Sequence, residues 1–176
     1  FSEMIDIVFK HNGTLDKIIG DELMVVFGAP LAADDDTERA LNTAVEMQNK
    51  ITELNDIRKQ RGEDPVLVGA GINKGFVVSG NIGSRDMMDY TVIGDTVNLG
   101  SRLCSAAGPG EIIVSKEVIK NQEDNFSFEE LKPIIRGMHT LGLKIPLYIL
   151  NINKTKSQDI IAFDQNWNGE LIPMSG

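Results

Sequence analysis

The chain has 176 residues, of which 41% are apolar and 24% charged, which suits one globular domain with a real core and room for a tail. Its net charge of −9 and pI near 4.7 argue against nucleic acid as a partner, since gripping a long polyanion needs a basic surface, but a few placed cations can still hold a nucleotide. The lone Cys104 rules out an internal disulfide and a cysteine-rich zinc site, and no run approaches the roughly 18 apolar residues of a membrane span, so no membrane contact is expected of this segment and its expected setting is the cytoplasm, alone or as the cytoplasmic part of a larger protein.

The elements follow in chain order. Phe1, Met4, Ile5, Val8 and Phe9 keep the i, i+3, i+4 rhythm of an amphipathic helix that is already under way at residue 1, as in a chain cut within a domain. This helix is predicted to end near His11-Asn12-Gly13, with Gly13 as its cap. Two runs rich in Ile, Leu and Val then flank Gly20-Asp21, the pattern of a β-hairpin with that pair at its tip. Asp34, Asp35, Asp36 and Thr37 open a long helix where carboxylates suit the helix dipole; Leu41, Ala44, Val45, Ile51 and Leu54 form its apolar side, and it stops near Gly62.

VLVGAGIN and FVVSGNI read as two strands of a second hairpin, joined by Lys74-Gly75. Its glycines, Gly69, Gly71, Gly75, Gly80 and Gly83, read as structural, because neither a phosphate loop nor a dinucleotide fingerprint is present. The strand YTVI follows, then a helix from about Asp95 to Ala107 closed by Gly108-Pro109-Gly110. EIIVS, a short helix in SKEVIKNQ, the strand FSFEEL and a last strand in GLKIPLYILNI complete the pattern, leaving 153–176 as a tail or linker. The sum is an α+β fold, helices covering an antiparallel-rich sheet.

Two groupings stand out chemically. Lys17 lies four residues before Asp21, an acid at a glycine-flanked tip that can reach a metal; a solvated turn aspartate with a surface lysine fits the same residues. Asn98 and Arg102 are four apart on one helix face, where an amide and a fixed cation suit a ribose and a phosphate; an exposed polar face fits them equally. Spacing alone leaves each pair open.

The segments GTLDKIIGDELMVVFGAP, GAGINKGFVVSGNIGS and DYTVIGDTVNLGSRLCSAA resemble, in order, three blocks of the class III adenylyl and guanylyl cyclase catalytic domain. The resemblance spans about residues 1–152 and implies a dimeric, ferredoxin-like nucleotidyl cyclase fold. It implies that Asp21 is one of two aspartates holding two Mg²⁺ or Mn²⁺ ions, that Lys17 and Thr91 read the purine, that Asn98 positions the ribose, and that Arg102 stabilises charge at the α-phosphate. Lys17 can only donate and suits N1 of adenine, while the Thr91 hydroxyl can accept from the 6-amino group, so the pair implies ATP as substrate. Each site would draw on two copies of the chain, implying a homodimer, with Ser84 to Asp89 as the arm that crosses to the partner.

Two departures from the pattern accompany the resemblance. The block carrying the other metal aspartate would fall upstream of Phe1, so this exact chain is expected to turn over little or no substrate. The lysine that binds the triphosphate is replaced by Leu141, with Lys144 as the candidate substitute. These departures leave a second reading, a catalytically silent cyclase-homology module that dimerises or binds nucleotide. A diguanylate cyclase, suggested by Gly20-Asp21-Glu22, fits poorly with Lys17, Thr91, Asn98 and Arg102.

Overall fold

The computed structural model describes residues 1–84, 87–131 and 146–152. Its centre is a strand with no free face. In β6 (Ile112–Ser115) all four side chains are buried. Strand alternation sends Ile112 and Val114 to one side and Ile113 to the other. On the first side they meet Leu41, Ala44 and Val45 of α2 (Asp36–Gln60). On the second, Ile113 packs with Leu103 of α3 (Asp95–Ala106). A run of consecutive apolar residues is what a strand covered on both faces requires.

Around β6 the sheet has four strands in the order β3-β6-β8-β7. These are β3 (Ala70–Ile72), β7 (Phe128–Leu131) and β8 (Leu147–Leu150), with β3 parallel to β6 and the other pairs antiparallel. The short helix α4 (Lys116–Ile119) follows β6 and adds Val118 to the α2 side of the core. The expected α+β layering, helices over an antiparallel-rich sheet, is present.

A second hairpin between residues 66 and 82 is not. Strand β3 pairs with β6, and β4 (Val78–Ser84) pairs instead with β5 (Met87–Ile93) over seven residue pairs. The linking residues are tied down away from the sheet. Asn73 donates to the Thr96 carbonyl at 2.8 Å, Lys74 Nζ to the Thr37 hydroxyl at 2.8 Å, and the Phe76 carbonyl accepts from the Thr96 hydroxyl at 2.7 Å. These bonds lead the chain off the edge of β3 before β4 begins. Strand β5 therefore starts at Met87, earlier than the YTVI segment suggested.

The first helix, α1 (Ser2–Lys10), also differs from expectation. It turns Met4, Ile7 and Val8 inward, while Phe1 and Phe9 are more than half exposed, because it packs beside Ile51 of α2 rather than on a full core. The left-handed residue after it is Asn12 (φ +54), which tolerates that region; Gly13 serves packing, as a side chain there would strike the Phe27 ring at 2.8 Å. Lys10 and His11 reach Glu46 of α2 at 2.8 and 2.7 Å and link the two helices.

Gly71 decides how closely α3 lies on the sheet. A Cβ at Gly71 would come within 2.1 Å of the Cys104 backbone nitrogen, whereas one at Gly80 would meet nothing within 4 Å. Gly71→Ala is therefore expected to force the helix outward and cost about 1–3 kcal/mol, a drop of several degrees in melting temperature, with Gly80→Ala nearly neutral. Circular-dichroism melts of both variants check the contrast.

Burial pushes the Glu46 carboxyl up, but hydrogen bonds and charge from Lys10 and His11 outweigh it and hold the group below its ordinary value. A depressed carboxylate stabilises the fold above the unfolded value and loses that contribution as pH falls through the folded one. Glu46→Gln is expected to destabilise the chain by less than about 1 kcal/mol at pH 7, and by less still at pH 3, in urea titrations at the two pH values.

Candidate functional site

The first hairpin pairs β1 (Thr14–Ile19) with β2 (Glu22–Val26), and its two-residue turn is Gly20-Asp21, as the sequence suggested. Gly20 takes φ +63, a conformation natural to glycine at the head of such a turn. Asp21 is thereby left exposed at the tip, and among the described residues no hydrogen-bond or ion-pair partner engages its carboxylate.

Strand β1 carries one extra residue. Leu15 pairs with Val25 and Lys17 with Met24, so Asp16 is the residue bulged out of the ladder. A bulge breaks the alternation that would send neighbouring side chains to opposite faces. Here Lys17 Nζ lies 3.3 Å from Asp16 Oδ2. The same oxygen accepts a 2.8 Å hydrogen bond from the Thr91 hydroxyl, 75 residues away on β5. Asp16 is 5% exposed and Lys17 41%, so the carboxylate is enclosed while the ammonium looks outward. Thr91 is buried, and its cross-strand neighbour is Gly80, beside which there is open space. Gly80 thus borders a vacancy rather than a packed contact, unlike Gly69, Gly71 and Gly75, which face α3, its N-terminus or the turn after it.

Strand β5 runs through Gly94 directly into α3. The helix is amphipathic. Leu103 is fully buried against Ile113 and Leu147, with Leu99 and Ala106 beside it, and this fixes the opposite face toward solvent. Asn98 and Arg102 lie on that outer face, exposed, and no side-chain partner engages either one among the described residues. Cys104 is turned the other way, toward Gly69 and Gly71 of the β3 segment. Burial pushes its thiol up, and the nearby charge of Glu22 adds to the effect.

The fold therefore joins Lys17 to Thr91 through Asp16 and sets Asn98 and Arg102 side by side on α3. It holds Asp21 at the tip of the hairpin that carries Lys17. Lys144 lies outside the described residues, as do the tail 153–176 and positions 85 and 86 of the Ser84 to Asp89 segment. Asp16 was missed by sequence reasoning. The only signal was an acid directly beside a lysine in an otherwise apolar strand, and nothing local ties it to Thr91.

Among the described residues no group of three or more His, Cys, Asp or Glu side chains converges to hold a metal ion. Asp21 offers one free carboxylate, and Glu22 beside it is exposed on β2. That donor set does not fit a complete two-metal centre.

The family model for the adenylate and guanylate cyclase catalytic domain matches residues 1–151. An adenylate cyclase of Mycobacterium tuberculosis is 34% identical over 152 residues, covering 82% of this chain and 32% of that protein. The chain thus spans between about a fifth and a third of the length of the curated relatives it matches. The crystal structure of the adenylyl cyclase CyaB from P. aeruginosa superposes with a TM-score of 0.75 at 33% identity, covering 85% of this chain and 77% of that one. That of the guanylyl cyclase Cya2 superposes with a TM-score of 0.71 at 33% identity, covering 98% of this chain and 81% of that one. An adenylyl and a guanylyl cyclase are equally similar, so overall likeness does not decide the base.

The two faces of α3 are open to a direct check. Alkylation of Cys104 at pH 8 is expected to run more slowly in the native chain than in urea, because the thiol is half-buried and burial pushes its pKa up. In a Cys104→Ser background, Arg102→Cys should react at nearly the unfolded rate. Equal native rates would mean that the helix is turned otherwise.

Proposed function

This chain belongs to the adenylate and guanylate cyclase catalytic domain family, and we propose that within it the chain builds the ATP-selective kind of site, making 3′,5′-cyclic AMP and pyrophosphate between two copies of itself. The observation that carries this reading is the convergence of Lys17 and Thr91, from separate hairpins, on one carboxylate. A cation that only donates and a hydroxyl whose proton is already committed make one donor and one acceptor. Adenine offers the complement, an acceptor at N1 and a donor at its 6-amino group. Guanine reverses both.

In the proposed reaction the ribose 3′-hydroxyl gives its proton to water and its oxygen attacks the α-phosphorus. The bond from that phosphorus to the β-phosphate oxygen breaks, and pyrophosphate leaves. Asn98 orients the ribose, and Arg102 faces the charge that grows on the α-phosphate oxygens, both acting by position and electrostatics. That these two exposed side chains have no side-chain partner among the described residues supports this use. Mg²⁺ or Mn²⁺ would supply charge neutralisation at the phosphates; Asp21 is the described residue suited to help hold it, and Lys144 is the proposed contact to the triphosphate.

A second copy of the chain fits what the β4–β5 hairpin exposes. Val78, Met88, Tyr90 and Ile93 are all about half exposed or more on this ribbon, and Phe76 just before it is fully exposed. Exposed apolar side chains on this ribbon suit burial against a partner.

The test is cyclic-nucleotide production by the full-length gene product with Mn²⁺, comparing ATP and GTP. Cyclic AMP from ATP is expected, with kcat falling about 10²–10³-fold in Arg102→Ala and activity lost in Asp21→Ala. Cyclic GMP as the main product would keep the family and overturn the base assignment. Nucleotide binding without any product would favour the silent regulatory module, the reading that Leu141 in place of the triphosphate lysine supports.

A further inference from the structure

We propose that Asp16 is the residue that sets the base preference, by fixing which way the Thr91 hydroxyl points. The proposal rests on the reading of Lys17 and Thr91 as the purine contacts, and it adds a positioning residue to that pair.

A threonine hydroxyl is by itself indifferent to adenine and guanine. It carries one proton and two lone pairs, and it can rotate to accept from a 6-amino group or to donate to a 6-oxo group. Discrimination requires that the rotor be locked. Asp16 has the properties of such a lock. Its Oδ2 lies 2.8 Å from Thr91 Oγ1, and a carboxylate can only accept, so the hydroxyl proton is directed at Asp16. What the Thr91 oxygen has left to offer is lone pairs alone, and a 6-oxo group placed against them would meet acceptor with acceptor.

Enclosure makes the lock hold. The Asp16 side chain is 5% exposed, so water cannot readily take its place as the hydroxyl's partner. Breaking a buried hydrogen bond to a charged group costs more than breaking an exposed one. Lys17 Nζ at 3.3 Å balances the carboxylate and is itself steered by it, with one of its three protons toward Asp16 and the others free for N1 of the base. The bulge in β1 makes this possible, because it lets consecutive side chains address the same point. Asp16 touches no part of the nucleotide in this scheme; it acts through Thr91 and Lys17.

The experiment uses the full-length gene product and reads kcat/KM with ATP and with GTP. In Asp16→Ala the Thr91 hydroxyl is released, and its cheapest new partner is the 6-oxo group. The ATP-to-GTP ratio is expected to fall about tenfold, the GTP value holding or rising while the ATP value drops. Asp16→Asn keeps the shape but offers Thr91 a donor as readily as an acceptor, so its ratio should fall part of the way. In a Thr91→Val background there is no rotor to lock, and Asp16→Ala should change the ratio by much less, through Lys17 alone.

A fall in both rates with the ratio kept would mark Asp16 as merely structural and overturn the proposal. So would a fall of equal size in the Thr91→Val background. An unchanged ratio in Asp16→Asn overturns it even if Asp16→Ala does not fold, as judged by melting. A parent protein with no preference for ATP would instead sink the underlying assignment of Lys17 and Thr91, which is a distinguishable failure.

Discussion

A helix can lie against a strand only as closely as the side chains between them allow, and between α3 and β3 there is, at Gly71, none. The backbone of Cys104 occupies the space a side chain would need. With α3 held this close, Leu103 reaches Ile113 and Leu147 and is fully buried. A helix fixed by its inner face has its outer face fixed too, so Asn98 and Arg102 are presented to solvent in a set orientation rather than wherever a loop would leave them. The other side of the sheet is closed by α2 on Ile112 and Val114. One strand buried on both faces thus carries the scaffold, and the chemistry is hung on its outer layer.

The candidate purine contacts obey a different constraint. They come from two hairpins outside the four-stranded sheet, and these meet where Thr91 of β5 bonds Asp16 of β1. A charged hydrogen bond in an enclosed place is directional in a way that apolar packing is not, so it can fix a proton's direction as well as a distance. Packing places the helix, and hydrogen bonding tunes the pair beside it. Groups left without side-chain partners among the described residues, Asp21, Asn98 and Arg102, all lie on exposed positions where being unpartnered costs little.

Legibility followed the range of the interaction. The first hairpin, α2 and α3 were readable because their signals are local: a glycine-led turn, three carboxylates before a helix, apolar residues at helical spacing. The second hairpin failed because two strands adjacent in sequence were assumed to pair. Strand β3 has a better neighbour in β6, parallel and far along the chain, and hydrogen bonds from Asn73 and Lys74 turn the connection away. The inward face of α1 was misjudged for a similar reason. Phe1 and Phe9 fit the period, but the surface available on α2 accepts Ile7 instead.

By itself the sequence determined the class of fold, the place of the candidate residues on particular elements, and the kinship that three ordered motifs imply. These depend on periodicity and turn chemistry, which act over a few residues. The resemblance paired Lys17 with Thr91, but only the tertiary structure decided that they meet through Asp16. That contact spans 75 residues and turns on one bulge in one strand, and no local rule connects the two ends. The same holds for the glycines. The sequence marks where side chains are missing, but the approach of α3 at Gly71 and the open space at Gly80 are set by what the fold brings against each one.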